Sequence, residues 1–81
     1  MSVAQLNEVF RSVFGEEIEI RPDMTAKDVA AWDSFNHINL IIAIEEAFAV
    51  KFTNREIVGM SRVGDLVEIL QRKGCAVSWD G

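Results

Sequence analysis

Ser34 has the densest chemistry in this chain around it: Asp33 precedes it and His37 follows one helical turn later. Two kinds of chemistry fit those residues. A serine and a histidine at this spacing could act as a nucleophile and its base. Against that, no third group orients the imidazole and no oxyanion site is evident. The other reading places the Ser34 hydroxyl at the first turn of a helix, where unpaired backbone N–H groups and the helix dipole stabilise a phosphate. His37 is then a neutral packing or hydrogen-bonding residue, because a charged imidazole is disfavoured near a helix N-terminus. Glu45 and Glu46 are adjacent in sequence and diverge around a helix, so they do not form a paired-carboxylate site. Cys75 is the single cysteine, which leaves no internal disulfide and no metal site built from several cysteines.

The elements that must position Ser34 follow from apolar spacing. A helix is predicted over 34–49, with Leu40, Ile41, Ile44, Ala47 and Phe48 as its core stripe. Phe35, Asn39, Ile42 and Glu46 fall at i, i+4, i+7 and i+11 on the opposite side. That second stripe is either covered by the preceding loop or exposed as a recognition face. An earlier helix is predicted over 3–14, capped by Ser2 and ended by Gly15, with Val3, Leu6, Val9, Phe10, Val13 and Phe14 inward. Residues 16–33 lose the period, and Pro22 breaks any helix, so they read as a long loop. Ile18, Ile20, Met24 and Val29 are its anchors, Trp32 packs its end, and Thr25-x-x-Asp28 nucleates one turn.

A short third helix starts at the capping box Thr53-Asn54-Arg55-Glu56 and is limited by Gly59. Ser61 is expected to cap a fourth over 62–73, with Val63, Leu66, Val67 and Leu70 inward and Gly74 as its stop. The expected fold is all-α: a small antiparallel bundle of three main helices plus one short helix, a domain over 1–74 followed by a flexible tail over 75–81.

Composition narrows the function classes. Eighty-one residues make one domain, and 49% hydrophobic content with five Gly and one Pro argues for a folded chain. A net charge of −5 disfavours nucleic acid and anionic membranes and favours partners with basic patches. There is no evident signal peptide and no apolar run of the ~20 residues that span a bilayer, so a reduced cytoplasmic location is expected.

Asp33-Ser34, the apolar pattern of the following helix, Glu45-Glu46, Phe48, the short third helix and Val63-x-x-Leu66-Val67 together resemble the acyl carrier protein family, without a gap from Asp33 to Leu70. The first helix and long loop agree in length and pattern, so the resemblance covers about 1–74. It implies a monomeric carrier and not an enzyme. Ser34 would accept 4'-phosphopantetheine from coenzyme A through a phosphopantetheinyl transferase, and Asp33 would help hold magnesium during that modification. The arm would hold acyl groups as thioesters. Phe35, Asn39, Ile42, Glu45 and Glu46 would meet the transferase, acyl-loading ligases or acyltransferases, and condensing enzymes with basic patches. Ile44, Phe48, Ile57 and Met60 would shelter an acyl chain, or simply pack the core.

The chain departs from the commonest family form at Phe35, where leucine is usual, and at Asn36 and Asn39, where acids are frequent. Those departures point to a dedicated carrier in a specialised lipid or secondary-metabolite pathway. A carrier of aminoacyl or peptidyl groups and an unmodified helical adaptor remain open beside it.

Overall fold

A computed structural model of the chain describes residues 3–79, and within them four helices: α1 (Ala4–Phe14), α2 (Ser34–Phe48), α3 (Asn54–Val58) and α4 (Val63–Arg72). Ser2, expected as the first cap, lies outside the described residues, and the position before α1 is Val3, whose side chain caps nothing. The apolar period of α1 buries Leu6, Val9 and Phe10. Gly15 ends the helix with φ +125, a conformation that side chains with a Cβ rarely adopt.

α1 and α2 run antiparallel. Gln5, near the start of α1, donates from Nε2 to the Ala47 carbonyl at 3.1 Å, near the end of α2. At the other end Phe14 packs on Trp32, just ahead of α2, with ring centroids 5.7 Å apart. Leu40, Ile41 and Ile44 are buried as their spacing predicts, and Phe48 is partly buried. Ala47 is exposed instead. It shares the stripe's angle but lies at the end of the bundle, where exposed Gln5 reaches its carbonyl.

The segment from 16 to 33 has no regular structure beyond turns, yet it is tied down along its length. Asn7 Oδ1 accepts from the Ile20 N–H at 2.7 Å, and Arg11 Nε donates to the Ile18 carbonyl at 3.0 Å. Ile20, Met24, Val29 and Trp32 are buried, while Ile18 is only partly so. Thr25 and Asp28 form the expected single turn, with the Thr25 N–H donating to Asp28 Oδ2 at 3.0 Å.

α4 begins one residue later than its sequence suggests, and Ser61 is not its cap. Arg62 holds the capping position, and Asp65 Oδ2 accepts from the N–H groups of Ser61 and Arg62. The first N–H groups of the helix find acceptors in the long loop: Val63 donates to the Met24 carbonyl and Gly64 to the Pro22 carbonyl, each at 2.9 Å. This satisfies donors that a helix start otherwise leaves without partners. A Cβ on Gly64 would sit 2.8 Å from the Pro22 oxygen, a backbone atom that cannot swing aside. Gly64→Ala is therefore expected to cost about 1–3 kcal/mol, read as a lower urea midpoint. An unchanged midpoint would show that the loop is not held there.

α3 carries the full capping box, with Thr53 and Glu56 bonding each other's backbone N–H. Lys73 ties it to the end of α4, 3.0 Å from Glu56, and lies over the Phe52 ring. The Thr53 N–H first, and then the Lys73 ammonium, hold the Glu56 carboxyl below its ordinary value of 4.5. Arg62 does the same for Asp65, below 3.8. Both groups are ionised in either state at neutral pH, so their stabilisation is full there. It is lost as pH falls below those ordinary values and through the lower folded ones. Glu56→Gln should flatten the decline of melting temperature below about pH 5; an unchanged slope would remove Glu56 from the acid response.

Of the expected tail, residues 75–79 run back along the bundle. The Cys75 N–H donates to the Leu70 carbonyl, Gln71 Nε2 donates to the Val77 carbonyl at 2.7 Å, and Val77 is buried. Asp80 and Gly81 lie outside the described residues.

Candidate functional site

The start of α2 is built by Asp33. Its backbone is extended, and its Oδ1 accepts from the Asn36 N–H at 2.8 Å. The capping role open to either residue is thus taken by Asp33. Ser34, the first helical residue, is exposed, and its hydroxyl makes no hydrogen bond among the described residues. The backbone N–H groups of Ser34 and Phe35 also lack acceptors in the described chain. A free hydroxyl therefore stands beside two free donors at the positive end of a helix of 15 residues.

Three neighbours fix this corner. Asn36 Nδ2 donates to the Ala31 carbonyl at 2.7 Å, closing the last turn of the loop onto α2. Trp32 is buried, edge-on to Phe10 at 5.6 Å. Its indole Nε1–H donates to His37 Nδ1 at 3.0 Å. An indole can only donate, so Nδ1 is the acceptor. His37 Nε2 then carries the proton and donates to the Ile57 carbonyl, 3.2 Å away in α3. Both ring nitrogens are engaged, and no hydrogen bond joins His37 to Ser34 among the described residues. The imidazole is a strut between the loop and α3, which leaves a Ser34 nucleophile without its base.

A cleft of about 490 Å³ opens beside Ser34, between α2 and α3. Ile38, Ile57, Val58 and Met60 give it apolar walls, with Trp32 and His37 between them. Ile57 and Met60, singled out from sequence, line it. Ile44 is fully buried in the core, and Phe48 borders a separate groove beside Ala49 and Cys75. Ile38 and Val58 were missed. Ile38 could have been found as the apolar residue four places after Ser34 and off the core stripe; nothing marks Val58.

The second stripe of α2 is bare. Phe35 is 75% exposed and Ile42 50%, and Asn39 and Glu46 are exposed beside them. Glu45 is half-buried, and its Oε2 accepts from the Phe52 N–H at 2.9 Å. Of the acidic pair, Glu46 alone faces solvent freely. Among the described residues no group of three His, Cys, Asp or Glu could hold a metal ion, and no helix is long and apolar enough to cross a membrane.

Among the described residues, the start of α2 thus presents an exposed, unbonded serine on a small helical bundle, and comparison with known proteins gives the class of protein that carries it. No family model matches the chain. It is 28% identical over 71 residues to the meromycolate extension acyl carrier proteins of Mycolicibacterium aurum and Mycolicibacterium smegmatis, covering 86% of this chain and 73% and 72% of those proteins. A solution structure of holo acyl carrier protein from Geobacter metallireducens superposes with a TM-score of 0.82 at 35% identity, over 88% of this chain and 83% of that one. The chain belongs to the acyl carrier protein family, whose members are carriers and not enzymes.

Proposed function

We propose that Ser34 is the attachment point of a 4'-phosphopantetheine arm and that the protein presents acyl groups on that arm to partner enzymes. The observation that carries this reading is the division of labour at the start of α2: Asp33 caps the helix and leaves the Ser34 hydroxyl exposed and unbonded. The residues fit the group. The free N–H groups of Ser34 and Phe35 suit the phosphate oxygens, and the helix dipole favours their charge.

In the modification, the Ser34 oxygen bonds to the phosphorus that bears the pantetheine half of coenzyme A. The P–O bond to the adenosine half breaks, and adenosine 3',5'-bisphosphate leaves. The serine proton passes to a base of the transferase. Asp33 Oδ2, which carries no hydrogen bond among the described residues, is the atom able to meet the transferase's magnesium. Once attached, the arm supplies a thiol that holds cargo as a thioester.

The apolar cleft beside Ser34 is where this chain can shelter the near end of a bound group. The relatives' names and the neutral opening of α2 favour lipid chain extension in a dedicated pathway, with its own loading and condensing enzymes, in the cytoplasm. Intact mass after incubation with coenzyme A and a broad-specificity phosphopantetheinyl transferase tests the reading. A gain of one phosphopantetheine per chain is expected, and no gain with any competent transferase would overturn it.

A further inference from the structure

We propose that the enzyme which reaches Ser34 grips this carrier through an uncharged apolar collar, and not through ion pairs. The surface fits a partner whose entrance is rimmed by apolar, uncharged side chains. The inference rests on Ser34 being the attachment point, since any enzyme that reaches its hydroxyl must cover the residues around it. Phe35 adjoins Ser34 and is 75% exposed; Ile38, one turn on, is 49% exposed; Ile42 continues the line on α2. Val58, 85% exposed, stands across the cleft on α3. Ile38 and Val58 line the cleft, and Phe35 and Ile42 extend the bare surface along α2; four large apolar side chains exposed in this region are more than isolated surface residues, and such patches mark contact surfaces.

The polar groups of the same surface offer a partner little charge. From Ser34 to Ile44 no residue is acidic or basic by formal charge, His37 being the neutral strut. Asn36 is engaged with Ala31, and Asn39 Nδ2 donates to Asn36 Oδ1 at 3.2 Å. Glu45 is held by the Phe52 N–H, and Asp33 spends Oδ1 on the cap, which leaves its Oδ2 as the carboxylate oxygen beside Ser34. Glu46 is the free carboxylate of α2, and it lies three turns from Ser34. The stretch from Ser34 to Ile44 therefore contributes nothing to the net charge of −5. Beyond Asp33 Oδ2, a basic docking patch laid over Ser34 would find apolar side chains opposite its cations and would desolvate them without a partner.

The test uses the apo chain, coenzyme A and a broad-specificity phosphopantetheinyl transferase, with kcat/KM taken from the initial rate of mass gain. A short serine peptide that the same enzyme modifies corrects for salt effects on the enzyme. The corrected efficiency should change by less than about twofold between about 0.1 and 1 M NaCl, over which an ion-pair contact would be screened. Phe35→Ser and Ile38→Ser should each lower it by about tenfold or more, with unchanged helical circular dichroism. Glu46→Gln, three turns away, should lower it by much less than either serine variant does. A steep decline with salt, a tenfold loss in Glu46→Gln, or full efficiency in the two serine variants overturns the collar while complete modification of Ser34 at long times leaves the attachment intact. No mass gain at any time overturns both.

Discussion

The Ser34→Ala protein is expected to gain no mass with coenzyme A and transferase under conditions that convert the wild-type chain completely. The structure makes this a clean substitution. The Ser34 hydroxyl is exposed and bonds to nothing in the described chain, and Asp33 does the capping. Removing one oxygen there should leave stability within about 0.5 kcal/mol, as for other surface changes. Lost modification with an unchanged melting temperature would then report the missing acceptor atom and not a damaged helix. Asp33→Ala supplies the contrast, because losing that cap costs about 1 kcal/mol. Modification that persists in Ser34→Ala would remove Ser34 from the mechanism and send the search to another hydroxyl.

Trp32→Ala should give the largest loss of stability near the site. Trp32 packs on Phe10 and Phe14 and holds His37, so one residue joins α1, the loop, α2 and, through the imidazole, α3. Truncating a buried aromatic costs about 3–5 kcal/mol. A chain of this length holds about 4–12 kcal/mol in all. The variant should therefore unfold at a much lower urea concentration, with a measurable unfolded fraction in buffer if the total lies at the low end. Trp32→Phe keeps a ring in the core but leaves His37 Nδ1 without its donor, at a cost of about 1 kcal/mol. Equal midpoints for Trp32→Phe and wild type would mean that the indole hydrogen bond adds nothing; an unchanged Trp32→Ala would remove the packing account altogether.

The order of the helices and the capping of α2 at Asp33-Ser34 were legible because they depend on local chemistry. Apolar spacing marks a buried stripe, and a capping box such as Thr53 with Glu56 works within four residues. What escaped depends on partners distant in sequence. Glu45 reads as a surface acid until Phe52 comes round to bond it. Ser61 is a better cap by type than Arg62, but α4 starts where carbonyls of the loop meet its amides. Val77 carries no periodic signal, and it is buried because the chain doubles back after Gly74. Spacing makes His37 a packing or bonding residue, yet it does not name the two partners, one on each side of the ring, which lie in the loop and in α3. For the site itself, periodicity showed that α2 has a second stripe and left open whether the loop covers it. The loop is anchored through Ile20, Met24, Val29 and Trp32 into the core, so it leaves Phe35 and Ile42 bare.

The two hydrogen bonds from the start of α4 to the Met24 and Pro22 carbonyls also bear on how the molecule opens. Neither the first turn of that helix nor the middle of the loop can come apart alone without leaving the other's backbone groups unpaired. The two should therefore form one cooperative unit in hydrogen exchange, with the amides of Val63 and Gly64 exchanging at a rate common to the buried loop amide of Met24 and slower than those of α3. Heat or denaturant that frays α3 would leave this unit closed. Because the same loop ends at Trp32, the Ser34 corner should then stay in place while the far wall of its cleft moves.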